Sequence, residues 1–255
     1  MRYVFLMARS RKRRSARKMT VAGDILRLPR VPRPVRAVLI AVLLAFLAPY
    51  FITPFYAFGQ PVSTVMLWRR MNGERVVRNW VSLAYVDPDL ARAVIVAEDG
   101  RFCVHYGLDF TQIQDAIQDA DSLEDVRGGS TITQQVAKNL FLWQSRSWLR
   151  KALEAPLALW VDLVLPKRRI MELYLNVAEW GPNGEFGVEA GAERAFGHSA
   201  HRLGATQAAL LAAMLPNPHD RDAKRPGPGL RRLARLYVAR AARAGAAETA
   251  CLRRH

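Results

Sequence analysis

The stretch "DPDLARAVIVAEDGRFCVHYG", Asp87 to Gly107, opens on a helix-start signal and closes just after a carboxylate pair. Asp87 is placed to cap a helix, and Pro88 fits the first helical position, where its missing N–H costs nothing. Leu90, Ala93, Val94 and Ala97 then recur at i, i+3, i+4 and i+7, the spacing of one buried helical face. Glu98 and Asp99 therefore fall at the C-terminal end of a buried helix. That end of the helix dipole favours cations, so the pair is set against its local electrostatics. Apolar surroundings raise the pKa of a carboxylic acid and make it a better base near neutral pH.

Outward from this stretch the periodicity stays helical. A second helix is expected over Asp109 to Asp121, with Phe110, Ile113 and Ile117 on one face, followed by the acidic loop "QDADSLEDVRGG". In "GGSTITQQVAKNLFLW", Gly128 and Gly129 form a flexible entry and Ser130 or Thr131 caps a helix carrying Ile132, Val136, Leu140 and Trp143. Gln134, Gln135, Lys138 and Asn139 occupy its other faces. "SWLRKALEAPLALWVDLVL" predicts a long buried helix, kinked near Pro156, in which Arg150 and Glu154 share a face. After Pro166, "KRRIMELYLNVAEW" buries Ile170, Leu173, Tyr174 and Val177. "GPNGEFGVEAGAERAFG" runs from loop to short helix, and "TQAALLAAMLPNP" is a small-residue helix stopped by Pro216 and Pro218. Upstream, Pro61 to Trp80 alternates apolar and polar positions and predicts an extended stretch or linker. With few strand signals and no internal repeat, the fold class is mainly α.

The 255 residues suffice for one good-sized domain plus an anchor, and carry a net charge of +16. Twelve Lys and Arg against Asp24 fill Met1 to Arg36. Such a head fits either nucleic-acid binding or membrane orientation, and the neighbouring segment decides between them. Ala37 to Phe58, "AVLIAVLLAFLAPYFITPFYAF", holds no charge over 22 positions, about 33 Å as a helix and enough to cross a bilayer. The charged region is long, the apolar run exceeds a signal core, and no small-x-small site succeeds it, which marks an uncleaved signal anchor. The positive-inside rule leaves the head cytoplasmic and everything after about Gln60 on the far side, with a membrane and no nucleic acid as partner. Cys103 and Cys251 make neither a disulfide framework nor a metal site, so the exported part is expected not to depend on crosslinks; whether the two pair stays open.

Glu98, Asp99 and Glu154 are carboxylates on apolar helices, and the segments between them bring Ser130, Thr131, Gln134, Gln135, Lys138, Arg150 and Lys151. This combination suits transfer at a sugar with a phosphate leaving group, which needs one group to take a proton and cations to neutralise a departing pyrophosphate. Singly, each feature has a blander reading. Glu98 with Asp99 can be a solvated helix end, Arg150 with Glu154 an intrahelical pair, "GGST" a common helix entry, His105 a structural hydrogen-bonder, and Lys138 a solvated lysine.

The order of the motifs adds to this. "EDGRFCVHYG", "GGSTITQQVAKNLFL", "RKALEAPLAL", "KRRIMELYLNVAEWG" and "GVEAGAERAFG", behind a signal anchor, closely resemble the successive motifs of the peptidoglycan glycosyltransferases, carbohydrate-active family 51, over about Tyr85 to Pro218. The remaining chain holds no acyl-serine transpeptidase domain, so a single-activity member is expected. The resemblance implies a helical, lysozyme-like larger lobe with a smaller membrane-embedded jaw near Phe110 to Asp125. It implies inverting polymerisation of lipid II into glycan strands, with release of undecaprenyl pyrophosphate. Glu98 matches the catalytic base. Asp99, Phe102 and His105 would shape the site around it. Ser130, Thr131, Gln134, Gln135, Lys138 and Asn139 would line the cleft. Arg150 and Lys151 would attend the phosphates, and Glu154 is the second essential carboxylate, organising the pyrophosphate directly or through a bound Mg or Mn ion, with no metal ligand set assigned. Lys167, Glu172, Tyr174 and Asn176 match the fourth motif, where helix packing is the stronger reading, and Arg194 matches the fifth.

The expected organisation is a cytoplasmic head over 1–36, a single-pass inner-membrane anchor over 37–58, a linker over 59–84, a periplasmic glycosyltransferase domain over 85–220 and a basic C-terminal segment over 221–255. Partners would be lipid II, the growing strand, the membrane, and wall-synthesis and division proteins. Two other readings compete with it: a lysozyme-like glycan-cleaving enzyme, whose glutamate would protonate a leaving sugar, and an inactive anchored scaffold.

Overall fold

The structure, a computed structural model, describes residues 32–118, 129–145, 147–245 and 247–253, with the side chain of Ile117 excluded. The chain divides into two compact units, 1–44 and 45–255. Helix α1, Arg33–Ile52, is uninterrupted despite Pro49 and buries no residue. With the 3-10 turn that succeeds it, it makes a helical stretch of 25 residues containing an 18-residue window of mean hydropathy 2.3, long and apolar enough to cross a membrane.

The second unit is helical: α2 (Thr64–Met71), α3 (Pro88–Glu98), α4 (Phe110–Gln118), α5 (Ile132–Phe141), α6 (Trp148–Val164), α7 (Lys167–Val177), α8 (Val188–Phe196), α9 (Ala205–Met214) and α10 (Pro228–Arg243). Two two-residue strands, β1 (Val77–Arg78) and β2 (Glu185–Phe186), pair in parallel, Val77 opposite Glu185. The helix starts are chemically specified. Asp87 accepts from the Asp89 amide ahead of Pro88, Thr131 and Gln134 form a reciprocal capping box, and Ser147 caps α6. The core lies where α3 packs on α9 and α10, and where α5 packs on α6 and α7. Ala208, Ala209, Ala212 and Ala213 of α9 are fully buried, which lets neighbouring backbones come close.

Two expectations are corrected, and one question left open is answered. The stretch 59–84 is not a linker: Ser63 caps α2, Met66 is fully buried, and the Thr64 hydroxyl donates to the Leu142 carbonyl at 2.6 Å, docking α2 on the end of α5. Within that stretch Val77–Arg78 is the part that forms a strand. The basic segment after 220 is likewise part of the packed body, because α10 buries Leu230, Ala234 and Tyr237 against its neighbours. Finally, Cys103 and Cys251 are joined in a disulfide, with Cα atoms 5.4 Å apart and 148 positions apart in sequence. Closing so long a loop stabilises by about 5 kcal/mol on chain-entropy scaling. Of the expected second helix, Phe110–Gln118 forms, directly after Asp109; the remainder, with the acidic loop as far as Gly128, lies outside the described residues. Trp143 lies beyond the end of α5 and is exposed.

Candidate active site

Glu98 ends α3, and Asp99 is its C-cap. The buried Asp99 carboxylate faces His105 Nε2 at 2.9 Å and accepts the Ile132 amide at 2.9 Å, which ties the end of α3 to the start of α5. The Thr131 hydroxyl, besides capping α5, donates to the Gly107 carbonyl at 2.5 Å. Gly107 sits at φ +68°, and a Cβ there would meet the Ala158 carbonyl at 2.7 Å, so only glycine lets this loop rest against α6. Its amide donates to Asp162, whose other partner is Lys167 at 2.7 Å. Lys167 in turn stands 4.6 Å over the ring of the fully buried Phe102.

These contacts redistribute the expected substrate-binding set. Asp99, Phe102, His105, Thr131 and Gln134 are all buried; Asp99, Thr131 and Gln134 bond one another's segments or backbone, and His105 bonds Asp99 through Nε2 while its Nδ1 has no partner among the described residues. They hold the framework, and none of them lines the cavity walled by Gln135 and Lys138. The residues brought together at the cleft are Glu98, Gln135, Lys138, Asn139, Ser130, Arg150, Lys151 and Glu154.

Within that group the two carboxylates differ. Glu98 accepts one hydrogen bond, from Gln135 Nε2 at 2.9 Å, and Gln135 Oε1 is in turn 3.4 Å from the Tyr174 hydroxyl. Burial raises the Glu98 pKa, and the Asp99 charge adds to that; the Gln135 hydrogen bond and the charges of Lys138 and Arg221 pull against it without cancelling it. Burial likewise pushes the Tyr174 hydroxyl well above its usual range. Glu154 is buried and saturated with charge: Arg150 and Lys151 both donate to it, the latter at 2.6 Å, and Lys151 also reaches the Ser130 hydroxyl at 2.8 Å. Lys138 feels both carboxylates and makes no hydrogen bond or ion pair among the described residues. Burial lowers its pKa, against the pull of Glu154.

A cavity of about 480 Å³ opens beside this group, with Gln135, Lys138, Asn139 and Tyr174 along its wall. Glu98 stands behind Gln135 rather than in the wall. The far side is formed by residues that sequence reasoning missed: Arg69, Glu179 and His219. Arg69 pairs with Glu179 at 2.9 Å, and His219 is 3.5 Å from the same carboxylate. Arg69 lies in the stretch expected as a linker, and Glu179 comes after a helix end without periodic company, so neither carries a readable signal. Glu172 and Asn176 of the fourth motif bond Leu83 and Val81 and are structural, in line with the packing reading. Arg194 bonds Asp222 at 2.9 Å.

Chemically, the arrangement offers a partly desolvated base held by one amide, facing cations gathered around a second carboxylate. It can take a proton at one end and hold an anionic leaving group at the other. Each Glu154 oxygen already accepts from a cation, Arg150 or Lys151, so a divalent ion bound there would meet two positive charges at the same carboxylate.

A family model described as Transglycosylase matches residues 65–241, a range that takes in α2 and most of α10. The chain is 59% identical over 213 residues to a protein of Rhodopseudomonas palustris named biosynthetic peptidoglycan transglycosylase, covering 84% of this chain and 90% of that one. Proteins of the same name from Nitrobacter hamburgensis (56% identical over 209 residues; 82% and 92% covered) and Agrobacterium fabrum (47% over 219; 85% and 96%) are similar along the same extent.

Proposed function

The chain belongs to the transglycosylase family and is an enzyme that builds peptidoglycan glycan strands; from that premise we propose how its residues do so. The donor is the growing strand and the acceptor lipid II, a disaccharide-peptide carried on undecaprenyl pyrophosphate. The Glu98 carboxylate takes the proton of the acceptor's free hydroxyl, whose oxygen attacks the donor's anomeric carbon. The bond from that carbon to the pyrophosphate oxygen breaks, its electrons leave with undecaprenyl pyrophosphate, and the configuration inverts. The observation that carries this reading is the pairing of a charge-starved Glu98 with the cation group on Glu154, with Lys138, unpaired among the described residues, sensing both.

Each side chain has a stated task. Gln135 holds Glu98 with its unshared oxygen available to the hydroxyl. Lys138, Arg150, Lys151 and Ser130 take the pyrophosphate charge. Glu154 holds Arg150 and Lys151 in place, so charge is neutralised by the protein's own cations. A bound Mg or Mn ion, were one to take part, would add positive charge at the pyrophosphate beside these cations. Helix α1 keeps the domain on the surface to which a polyprenyl substrate is confined, and the basic head before it would fix a cytoplasmic N-terminus and a periplasmic catalytic domain.

A glycan-cleaving reaction would leave the cation group without a task. Labelled lipid II incubated with the full chain in detergent tests this directly. Long strands from the wild type, absent with Glu98→Gln, are expected. Cleavage of preformed glycan in place of polymerisation would replace this reading with the lytic one, and neither activity in folded protein would leave an anchored scaffold.

A further inference from the structure

Helix α10, "PGLRRLARLYVARAAR", carries five arginines and no acid. Its inner face, Leu230, Ala234 and Tyr237, is buried, and the helix packs on α9 and α3. Its outer face is patterned as well. Gly229, Arg232, Leu233 and Leu236 fall one helical turn apart and, with Arg221 and the edge of the buried Leu230, line a cavity of about 590 Å³ along the flank of the helix; Arg240 continues the same stripe one turn on. Arg232, Arg235 and Arg240 make no hydrogen bond or ion pair among the described residues, whereas Arg69, Arg150, Arg169 and Arg194 are each paired. Guanidinium groups spaced by leucines match a ligand that alternates carboxylates with small apolar groups.

Helix α10 packs on α3, the helix that ends at the base. Arg221 lines the cavity and is near enough to Glu98 for its charge to favour the carboxylate, while the buried Tyr237 beneath the stripe feels Glu98, Arg221 and Arg240 together. Lipid is the poorer match, because the C-terminal end of the anchor packs on other elements. Trp160 of α6 donates to the Tyr50 carbonyl, Arg169 of α7 donates to the Tyr56 carbonyl, and Tyr56 stacks on Phe141 of α5.

We propose that the outer face of α10 binds the acidic peptide borne by the peptidoglycan sugars, with carboxylates on Arg232 and Arg240 and methyl-sized side chains against Leu233 and Leu236. This deepens the proposed function and rests on it, since a sugar held at Glu98 presents its peptide to α10 at high effective concentration.

The test compares two lipid-linked disaccharide substrates, one with its acidic peptide and one with the peptide carboxyls amidated, using the full chain in detergent. The wild type is expected to prefer the acidic peptide severalfold in kcat/KM, mainly through KM. Arg232→Gln with Arg240→Gln should shrink that preference by about threefold per arginine, the size of an exposed charge contact, and Arg232→Lys with Arg240→Lys should recover most of it. Binding of the soluble disaccharide-peptide should weaken in the Gln variant and with added salt. An unchanged preference, an equal loss on both substrates, or a loss confined to binding of anionic phospholipid vesicles would overturn the proposal. If the wild type polymerises neither substrate, the assignment at Glu98 fails instead. The binding measurement then still decides α10: arginine-dependent binding upholds it and its absence refutes it.

Discussion

Glu98 and Glu154 are both carboxylates on helices, yet the fold treats them in opposite ways. Glu98, at the C-terminal end of α3, is given one amide hydrogen bond and little compensating charge, so burial keeps its pKa raised. Glu154, in the second turn of α6, is given a guanidinium and an ammonium within hydrogen-bond reach. A carboxylate starved of charge is ready to accept a proton. One that is already matched acts through the cations it holds. The same residue type thus does two jobs, divided by surroundings.

The largest effect should come from breaking the starved side. Glu98→Gln keeps size and hydrogen bonding but cannot take a proton, and polymerisation is expected to fall about 10³-fold or more while lipid II binding is retained, read by single-turnover kinetics. The same variant should be more stable than wild type at neutral pH. The sign comes from linkage: with a raised folded pKa, the native state binds the proton more tightly than the unfolded state. Stability therefore falls as pH rises through the interval from the ordinary carboxylate value to the raised one. A thermal melt in which the Gln variant gains nothing as pH passes through that interval would remove the idea that Glu98 is held under strain for chemistry.

Breaking the saturated side should cost less in rate. Glu154→Gln sets an amide against Arg150 and Lys151 and lets both wander, and a loss of roughly 10²-fold is expected, the scale of a displaced electrostatic group. The contrast is in the pH profile: the acidic limb should stay near its wild-type position, because among the described residues Glu154 shares no hydrogen-bond partner with Glu98 and is linked to it only by the Lys138 charge that both feel. A limb that moves as far as it does on changing Gln135 would mean the two carboxylates titrate as one unit.

This division was half legible in the sequence. The helix ending at Glu98 could be read because Asp87, Pro88 and the Leu90–Ala97 spacing agree with one another, and Arg150 with Glu154 because i, i+4 is a local rule. The burial of Asp99, His105, Thr131 and Phe102 could not be read, because it depends on Gly107 letting one loop close on α6, a contact made across many residues. Helix α2 was missed because its buried face is little more than Met66, too few apolar positions to mark a period, and Arg69 went unplaced with it. The Cys103–Cys251 pairing joins positions 148 apart and leaves no local trace at all.

That disulfide also belongs to the Glu98 side, since Cys103 lies in the loop between Glu98 and His105. Cys251→Ser is expected to lower stability by about 2–5 kcal/mol, roughly 5–15 °C in melting temperature. Hydrogen exchange should increase first in the 99–107 loop and around residues 250–252, with α6 near Glu154 little changed. Equal loosening at α6 would mean the crosslink stabilises the whole body and favours neither carboxylate.

The smallest expected effect is also the one that isolates the Glu98 environment. Gln135 contributes the single hydrogen bond to Glu98, and that bond lowers a pKa which burial has raised. Replacing Gln135 with Leu removes the bond while keeping the site apolar, so the Glu98 pKa should climb further. The acidic limb of kcat/KM then moves to higher pH, because the base must be ionised to act, and the rate at neutral pH drops only severalfold. Gln135→Glu should push the same limb upward by a different cause, placing a like charge beside Glu98, and added salt should partly reverse that shift but not the shift in the Leu variant. If the limb moves to lower pH in Gln135→Leu, the hydrogen bond was holding Glu98 protonated, and its role as the proton acceptor would have to be given up.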